Sequence, residues 1–179
     1  DFCLSRGLGD VYKRQGPVLM ASRHLARVAE SADDYRRVYR EVLSSATVPV
    51  VLHWLGTAFD PELAGYFGAD DWQTASAVLL DIIAEQPDKV AGVKMSLLNA
   101  ESEISVREQL PQGVRMFTGD DFNYVGLIGG DTVGQGDGHS DALLGAFAAI
   151  TPVASAAIQA LDAGALSLIH ISEPTRQAE

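Results

Sequence analysis

The sequence predicts an α/β fold built on a parallel sheet, and three observations carry that prediction. Short runs of β-branched and apolar residues, such as Val48 to Leu55 and Val90 to Ser96, alternate with stretches whose apolar residues recur at helical spacing. The chain has 179 residues, 47% of them apolar, and a mean hydropathy of +0.08, enough for one sizeable core. No run approaches the ~20 apolar residues of a spanning helix.

The two ends read as a cloning scar. Residues 1–15 (DFCLSRGLGDVYKRQ) can be written in codons whose reverse complement translates as LSLIHISEPTRQAE, which is residues 166–179. One DNA sequence read on opposite strands thus encodes both termini, as a sequencing adapter would, and such segments are set aside before a fold is argued. The expectation is a fragment of a longer protein, residues 16–165, between adapter-derived tails 1–15 and 166–179. Cys3, the one cysteine, and His170 go with the tails, so no disulfide, thiol nucleophile or thiolate metal site is expected. The tails hold Arg6, Lys13, Arg14 and Arg176 against Asp1, Asp10, Glu173 and Glu179, so the net charge of −11 belongs wholly to residues 16–165. With a pI near 4.6 and no basic run, nucleic acid and anionic membrane surfaces are poor partners. The expected location is the cytoplasm.

Val18 to Ala21 is a short apolar strand after Gly16-Pro17. Leu25, Val28, Tyr35, Val38 and Val42 follow at helical spacings, and SADDYRRVYREVLSS opens with Ser31 as N-cap and acidic residues in its first turn. Val48 to Leu55 (VPVVLHWL) is a buried strand. GTAFDPELAGYFGADD is a loop of the length used to cover active sites. Asp70 and Asp71 start a helix through Ile83; Val90 to Ser96 is a strand, Ala100 to Leu110 a helix and Val114 to Thr118 a strand. Asn123 to Ile128 reads as helix, Gly129 to Gly138 as a glycine-rich loop without the Walker pattern, Ala142 to Phe147 as strand and Pro152 to Leu161 as helix. These make about five βα units, which fit either a doubly wound sheet or part of a (β/α)8 barrel.

Lys94 is the most informative residue. It stands within the apolar strand VAGVKMSLL, where burial favours loss of its proton, and a neutral amine attacks a carbonyl to form a Schiff base. By alternation Val90, Gly92, Lys94 and Ser96 share a face, and Gly92 leaves room beside the amine. The alternative is a lysine that snorkels out or pairs with a carboxylate. Asp120 and Asp121 end the next strand, placed either to hold substrate hydroxyls or to cap the following helix. His53 shares a face with Val51 and Leu55 and is either a general acid/base or a hydrogen-bonded core histidine, while Trp54 faces the helix-packing side. His139, flanked by Asp137 and Asp141, offers a metal reading together with His53 and Asp121, without the ligand spacing typical of a metal site. No serine nucleophile elbow is present.

The phrases GPVLMAS, PVVLHWLG, GVKMSLL, MFTGDDFNY and DALLGAF, in that order across nearly all of residues 16–165, resemble domain-of-unknown-function family 993, a branch of the dihydrodipicolinate synthase and N-acetylneuraminate lyase superfamily. The resemblance implies a partial TIM barrel of about five of eight βα units, roughly the fourth to eighth strands, from a class I aldolase-type carbon–carbon lyase. Gly92-Val93-Lys94 fits the superfamily's G-I/V-K motif, which makes Lys94 the imine-forming lysine. Gly119 and Asp121 match the turn that lines the substrate pocket, with Asp120 between them. His53 stands where a motif resembling ILYN has its catalytic tyrosine, and GTAFDPELAG has no counterpart of the arginine that binds a 2-oxo acid.

The implied reaction is Schiff-base aldol or lyase chemistry on a carbonyl compound, either a 2-oxo acid or a sugar derivative. Lys94 is then the nucleophile, His53 the proton shuttle, and Gly119, Asp120 and Asp121 the substrate-binding residues. The protonated imine is the electron sink, so neither cofactor nor metal is required. The parent protein is expected to form homo-oligomers, and the fragment alone to be inactive and unstable because its sheet edges are open. Two other readings stand beside this one: a metal-assisted sugar isomerase or hydrolase using His53, Asp121 and His139, and a non-catalytic carbohydrate-binding barrel.

Overall fold

The structure, a computed structural model, describes residues 16–130 and 138–164. In chain order they form β1 (Val18–Leu19), α1 (Arg23–Val28), α2 (Ala32–Ser45), β2 (Val50–Leu55), α3 (Trp72–Glu85), β3 (Val90–Ser96), α4 (Ala100–Arg107), β4 (Arg115–Thr118), α5 (Tyr124–Gly129), β5 (Asp141–Ala142) and α6 (Thr151–Asp162). The strands make one sheet in the order β1-β2-β3-β4-β5, every neighbouring pair parallel. A doubly wound sheet reverses its order at a switch point; here each strand lies beside its predecessor, as in a (β/α)8 barrel. The fold is α/β, with the arrangement of a partial TIM barrel. Both tails, with Cys3 and His170, and most of the glycine-rich loop, with Asp137, lie outside the described residues.

The helices form where the sequence supplies their ends. Asp34 reaches back to accept from the backbone amides of Ser31 (3.1 Å) and Glu30 (3.0 Å), which starts α2 at Ser31, the N-cap expected from the sequence, after the short α1. Asp71 caps α3 by accepting from the Thr74 amide at 2.7 Å. The expected stripe holds at Leu25 and Tyr35, which are buried, but not at its valines. Tyr35, Tyr39 and Leu43 are buried, whereas Val28, Val38 and Val42 are exposed along the β1 side. The tyrosines win because their large rings fill the space over the segment that follows β2.

That segment, expected as an active-site cover, is packed into the core instead. Two single 3₁₀ turns, Pro61–Leu63 and Tyr66–Gly68, carry Leu63, Tyr66 and Phe67 into the helix-side cluster. The Phe67 ring meets Tyr66, Trp54, Tyr39 and Tyr35 at centroid distances of 4.8, 5.2, 5.6 and 5.8 Å. Ion pairs of Arg36 with Asp81 and Arg40 with Glu85 tie α2 to α3 across the exposed surface.

Two further expectations shift. Val90 belongs to the helix-side cluster with Val50, Val93 and Met95, not to the face of Lys94, because the β2–β3 register slips between Val50 and Val51. The last strand spans only Asp141–Ala142 rather than Ala142 to Phe147. Leu143 still donates to the Thr118 carbonyl (3.2 Å), and the chain then turns at Ala146–Ala148.

Candidate active site

Strand alternation divides the sheet into two faces. Leu52, Trp54, Val93, Met95 and Met116 pack under the helices. The opposite face presents His53, Lys94, Phe117 and Asp141 side by side, since these four are register partners across β2 to β5. On this face Lys94 is flanked by a histidine and a phenylalanine, and Ser96 lies one step further along β3.

Gly119 explains how the lysine fits. Its amide donates to the Met95 carbonyl at 2.8 Å, extending the ladder beyond β4. A Cβ at this position would meet Ser96 Oγ at 2.1 Å and Lys94 Cε at 2.9 Å. The bare backbone therefore leaves the space that both side chains occupy. Gly92, expected to leave room beside the amine, leaves it instead for the Arg115 carbonyl oxygen and the Phe117 ring, which would lie 2.5 and 2.6 Å from a Cβ there.

Lys94 is half-buried. Desolvation pushes its pKa down, and the negative charge of Asp121 partly opposes that shift. Among the described residues its ammonium has no hydrogen-bond partner. His53 is buried, and burial together with the neighbouring Lys94 charge lowers its pKa to about 4, so the imidazole is neutral near pH 7. Its Nδ1 lies 3.1 Å from Met20 Sδ and its Nε2 3.0 Å from Ser96 Oγ.

The adjacent aspartates have different surroundings. Asp120 is buried; its Oδ1 accepts from the Phe122 and Asn123 amides (2.8 and 2.9 Å) and its Oδ2 from Asn123 Nδ2 (2.8 Å), so both oxygens organise the turn into α5. Asp121 is exposed, and it is the carboxylate whose charge acts on Lys94. His139 is exposed, and Asp141 is held by Arg115 through a bidentate pair, Nε–Oδ2 2.6 Å and Nη2–Oδ1 2.5 Å. Both ring nitrogens of His53 are engaged within the chain, and among the described residues no group of three or more His, Cys, Asp or Glu side chains is placed to hold a metal ion.

A second polar cluster, unforeseen in the sequence, lies on the helix side of β4. Glu103 of α4 is 1% exposed beside Thr118, Ser140, Asp120 and Arg107. Burial, reinforced by Asp120, raises its pKa to about 7 against the opposing hydrogen bonds of Ser140 and Thr118 and the Arg107 charge, and its Oε1 has no hydrogen-bond partner. Glu103 sits in AESEISVR, whose polar composition reads as a solvated helix; only its place on the face with Val106 hinted at burial. Ser96 was legible as a neighbour of Lys94 on one face, but its contact with His53, and that of Met20, depends on strand pairing.

The cluster of Lys94, His53, Ser96, Gly119 and Asp121 thus combines a desolvated amine, a neutral imidazole and a nearby carboxylate at the carboxyl ends of adjacent strands, the face on which such barrels do chemistry. No curated protein matches the chain. A family model described as "Protein of unknown function (DUF993)" matches residues 9–177, and the chain belongs to that family.

Proposed function

We propose that the chain is part of a cytoplasmic Schiff-base-forming aldolase or lyase that acts on a carbonyl compound, a 2-oxo acid or a sugar derivative. The observation that carries this reading is the setting of Lys94. Its amine is desolvated, lacks a hydrogen-bond partner among the described residues, and shares one sheet face with a neutral imidazole. The resemblance of Gly92-Val93-Lys94 to the lysine motif of the dihydrodipicolinate synthase superfamily points the same way.

The neutral amine adds to the substrate carbonyl, forming a C–N bond as the carbonyl electrons move to oxygen. Transfer of a proton from nitrogen to that oxygen gives the carbinolamine, and loss of water leaves the imine. Once protonated, the imine nitrogen accepts the electron pair released when a carbon–carbon bond breaks, and in the reverse sense it supplies that pair to a second carbonyl. His53, neutral and therefore a base, moves protons beside the reacting carbons. Gly119 and Asp121 border the bound substrate, and Asp120 holds the turn that carries Asp121.

The test is borohydride trapping in a full-length polypeptide containing this chain, incubated with a panel of 2-oxo acids and sugar aldehydes and analysed by peptide mass spectrometry. A reduced adduct on the Lys94 peptide, absent from Lys94→Ala, is the expected result. Lys89, whose ammonium donates to the Ala46 carbonyl at 2.7 Å, serves as the internal control. Failure of every carbonyl to label Lys94, or equal labelling of Lys89, would overturn the reading.

A further inference from the structure

His53 is held from both sides by groups of opposite hydrogen-bonding character. Met20 presents a thioether sulfur to Nδ1 at 3.1 Å, and a thioether can accept a hydrogen bond but has no proton to give. Favourable contact at that distance requires the proton on Nδ1. Nε2 then carries a lone pair, and the Ser96 hydroxyl, 3.0 Å away, is its donor. The serine oxygen is at the same time packed against Gly119 next to the Lys94 stem, because both side chains converge on the space a Cβ of residue 119 would fill.

We infer that Ser96 is a proton-relaying residue of the Lys94 site, whose hydroxyl donates to Nε2 of the Nδ1–H tautomer of His53 and stands beside the lysine stem across the bare backbone of Gly119. This rests on the imine reading proposed above and adds the route by which His53 reaches the reacting atoms. During carbinolamine formation the Lys94 nitrogen, which has no partner among the described residues, turns toward Ser96 Oγ beside its stem and loses a proton to it as the serine passes its own proton to His53 Nε2. The reverse transfer returns a proton to the former carbonyl oxygen, which leaves as water with a second proton from nitrogen. Carbonyl and amine thus become imine and water, with Ser96 and His53 restored. Without the hydroxyl, nothing among the described residues bonds Nε2, and only the weak thioether contact of Met20 at Nδ1 holds the tautomer and the ring.

The experiment uses a full-length polypeptide containing this chain, labelled with 15N-histidine, as wild type, Ser96→Ala and Ser96→Cys. Long-range 15N–1H spectra report the His53 tautomer, and glyoxylate with cyanoborohydride reports the rate of Lys94 adduct formation across pH. The expected wild-type spectrum shows the proton on Nδ1 alone; Ser96→Ala gives mixed tautomers and slows adduct formation about tenfold or more with an altered pH profile. Ser96→Cys, which restores a donor, recovers part of the rate. A wild-type proton on Nε2, or Ser96→Ala with unchanged rate and pH profile, overturns the inference while leaving the imine reading intact. Absence of any Lys94 adduct in the wild type overturns the imine reading and the proton route together, and the tautomer spectrum then reports separately on the Ser96–His53 bond.

Discussion

Lys94 and Gly119 occupy one space: a Cβ on Gly119 would stand 2.9 Å from Lys94 Cε, closer than real Cβ atoms approach a carbon. Gly119→Ala must therefore displace the lysine stem and, at 2.1 Å, the Ser96 hydroxyl as well. Overpacking of this kind costs about 1–3 kcal/mol of stability. The expected outcome is a protein that still folds but whose Lys94 no longer traps carbonyl compounds under borohydride. Unimpaired trapping by Gly119→Ala would show that the turn yields without moving the amine.

His53 and Glu103 predict opposing pH dependences of stability. Glu103 has its pKa raised from 4.5 to about 7 by burial, so the folded state holds a proton that the unfolded chain releases; this contribution is fully present below pH 4.5 and is lost as pH rises through about 7. His53 has its pKa lowered from 6.5 to about 4, so its contribution is present above pH 6.5 and is lost as pH falls through about 4. Each amounts to about 3 kcal/mol, and between pH 4.5 and 6.5 the two slopes offset one another. Glu103→Gln, which mimics the protonated acid, removes one slope. Urea melts should show this variant more stable than wild type at pH 8, with stability now rising steadily from pH 4 to 6.5. A wild-type protein that gains stability from pH 5 to 8 as steeply as the variant would refute the buried-acid account.

How much of this was legible in the sequence depends on the range of the interaction. The β3 strand Val90–Ser96 and its lysine follow from local pattern, because alternation and apolar neighbours act over a few residues. Trp54 was assigned to the helix side by the same alternation and lies there against Phe67. The slip at Val90 is a property of two strands and has no mark in one of them. Of the expected stripe, Tyr35 is buried but Val38 and Val42 are not, for a similar reason: valines and tyrosines both recur at helical spacing, and only the position of Tyr66 and Phe67, nearly thirty residues on, selects the tyrosine face. The tyrosine hydroxyls of residues 39 and 66 meet at 3.1 Å in the resulting core. For Asp120 and Asp121, sequence could offer substrate contact or capping to either; the turn geometry separates them.

Phe67 predicts a large loss of stability from a residue remote from the reacting groups. Its ring is 1% exposed and touches four other aromatic rings, while its backbone sits at φ 65°, in the left-handed region that a bulky residue seldom adopts. The packing holds the strained backbone in place. Phe67→Ala should cost about 3–5 kcal/mol, read as a lower urea midpoint at unchanged slope. Phe67→Gly relieves the backbone but leaves a larger void, so it should remain strongly destabilised. A Phe67→Gly protein as stable as wild type would mean that strain, not packing, dominates at this position.

Asp120 and Asp121 predict a separation of effects between neighbours. The Asp121 charge favours the ammonium form of Lys94, so Asp121→Asn lets the amine lose its proton more readily. The alkaline-rising limb of adduct formation should therefore move to lower pH, with faster trapping at pH values below the wild-type midpoint and little change in the melt. Asp120→Ala instead removes the acceptor of the Phe122 and Asn123 amides. Leaving these turn amides without their acceptor costs about 1–3 kcal/mol and should lower the urea midpoint. Because Asp120 also raises the Glu103 pKa, its removal should bring the Glu103 titration to lower pH. If Asp120→Ala shifts the trapping limb while Asp121→Asn leaves it in place, the roles are exchanged, and the carboxylate that tunes the amine is the one buried in the turn.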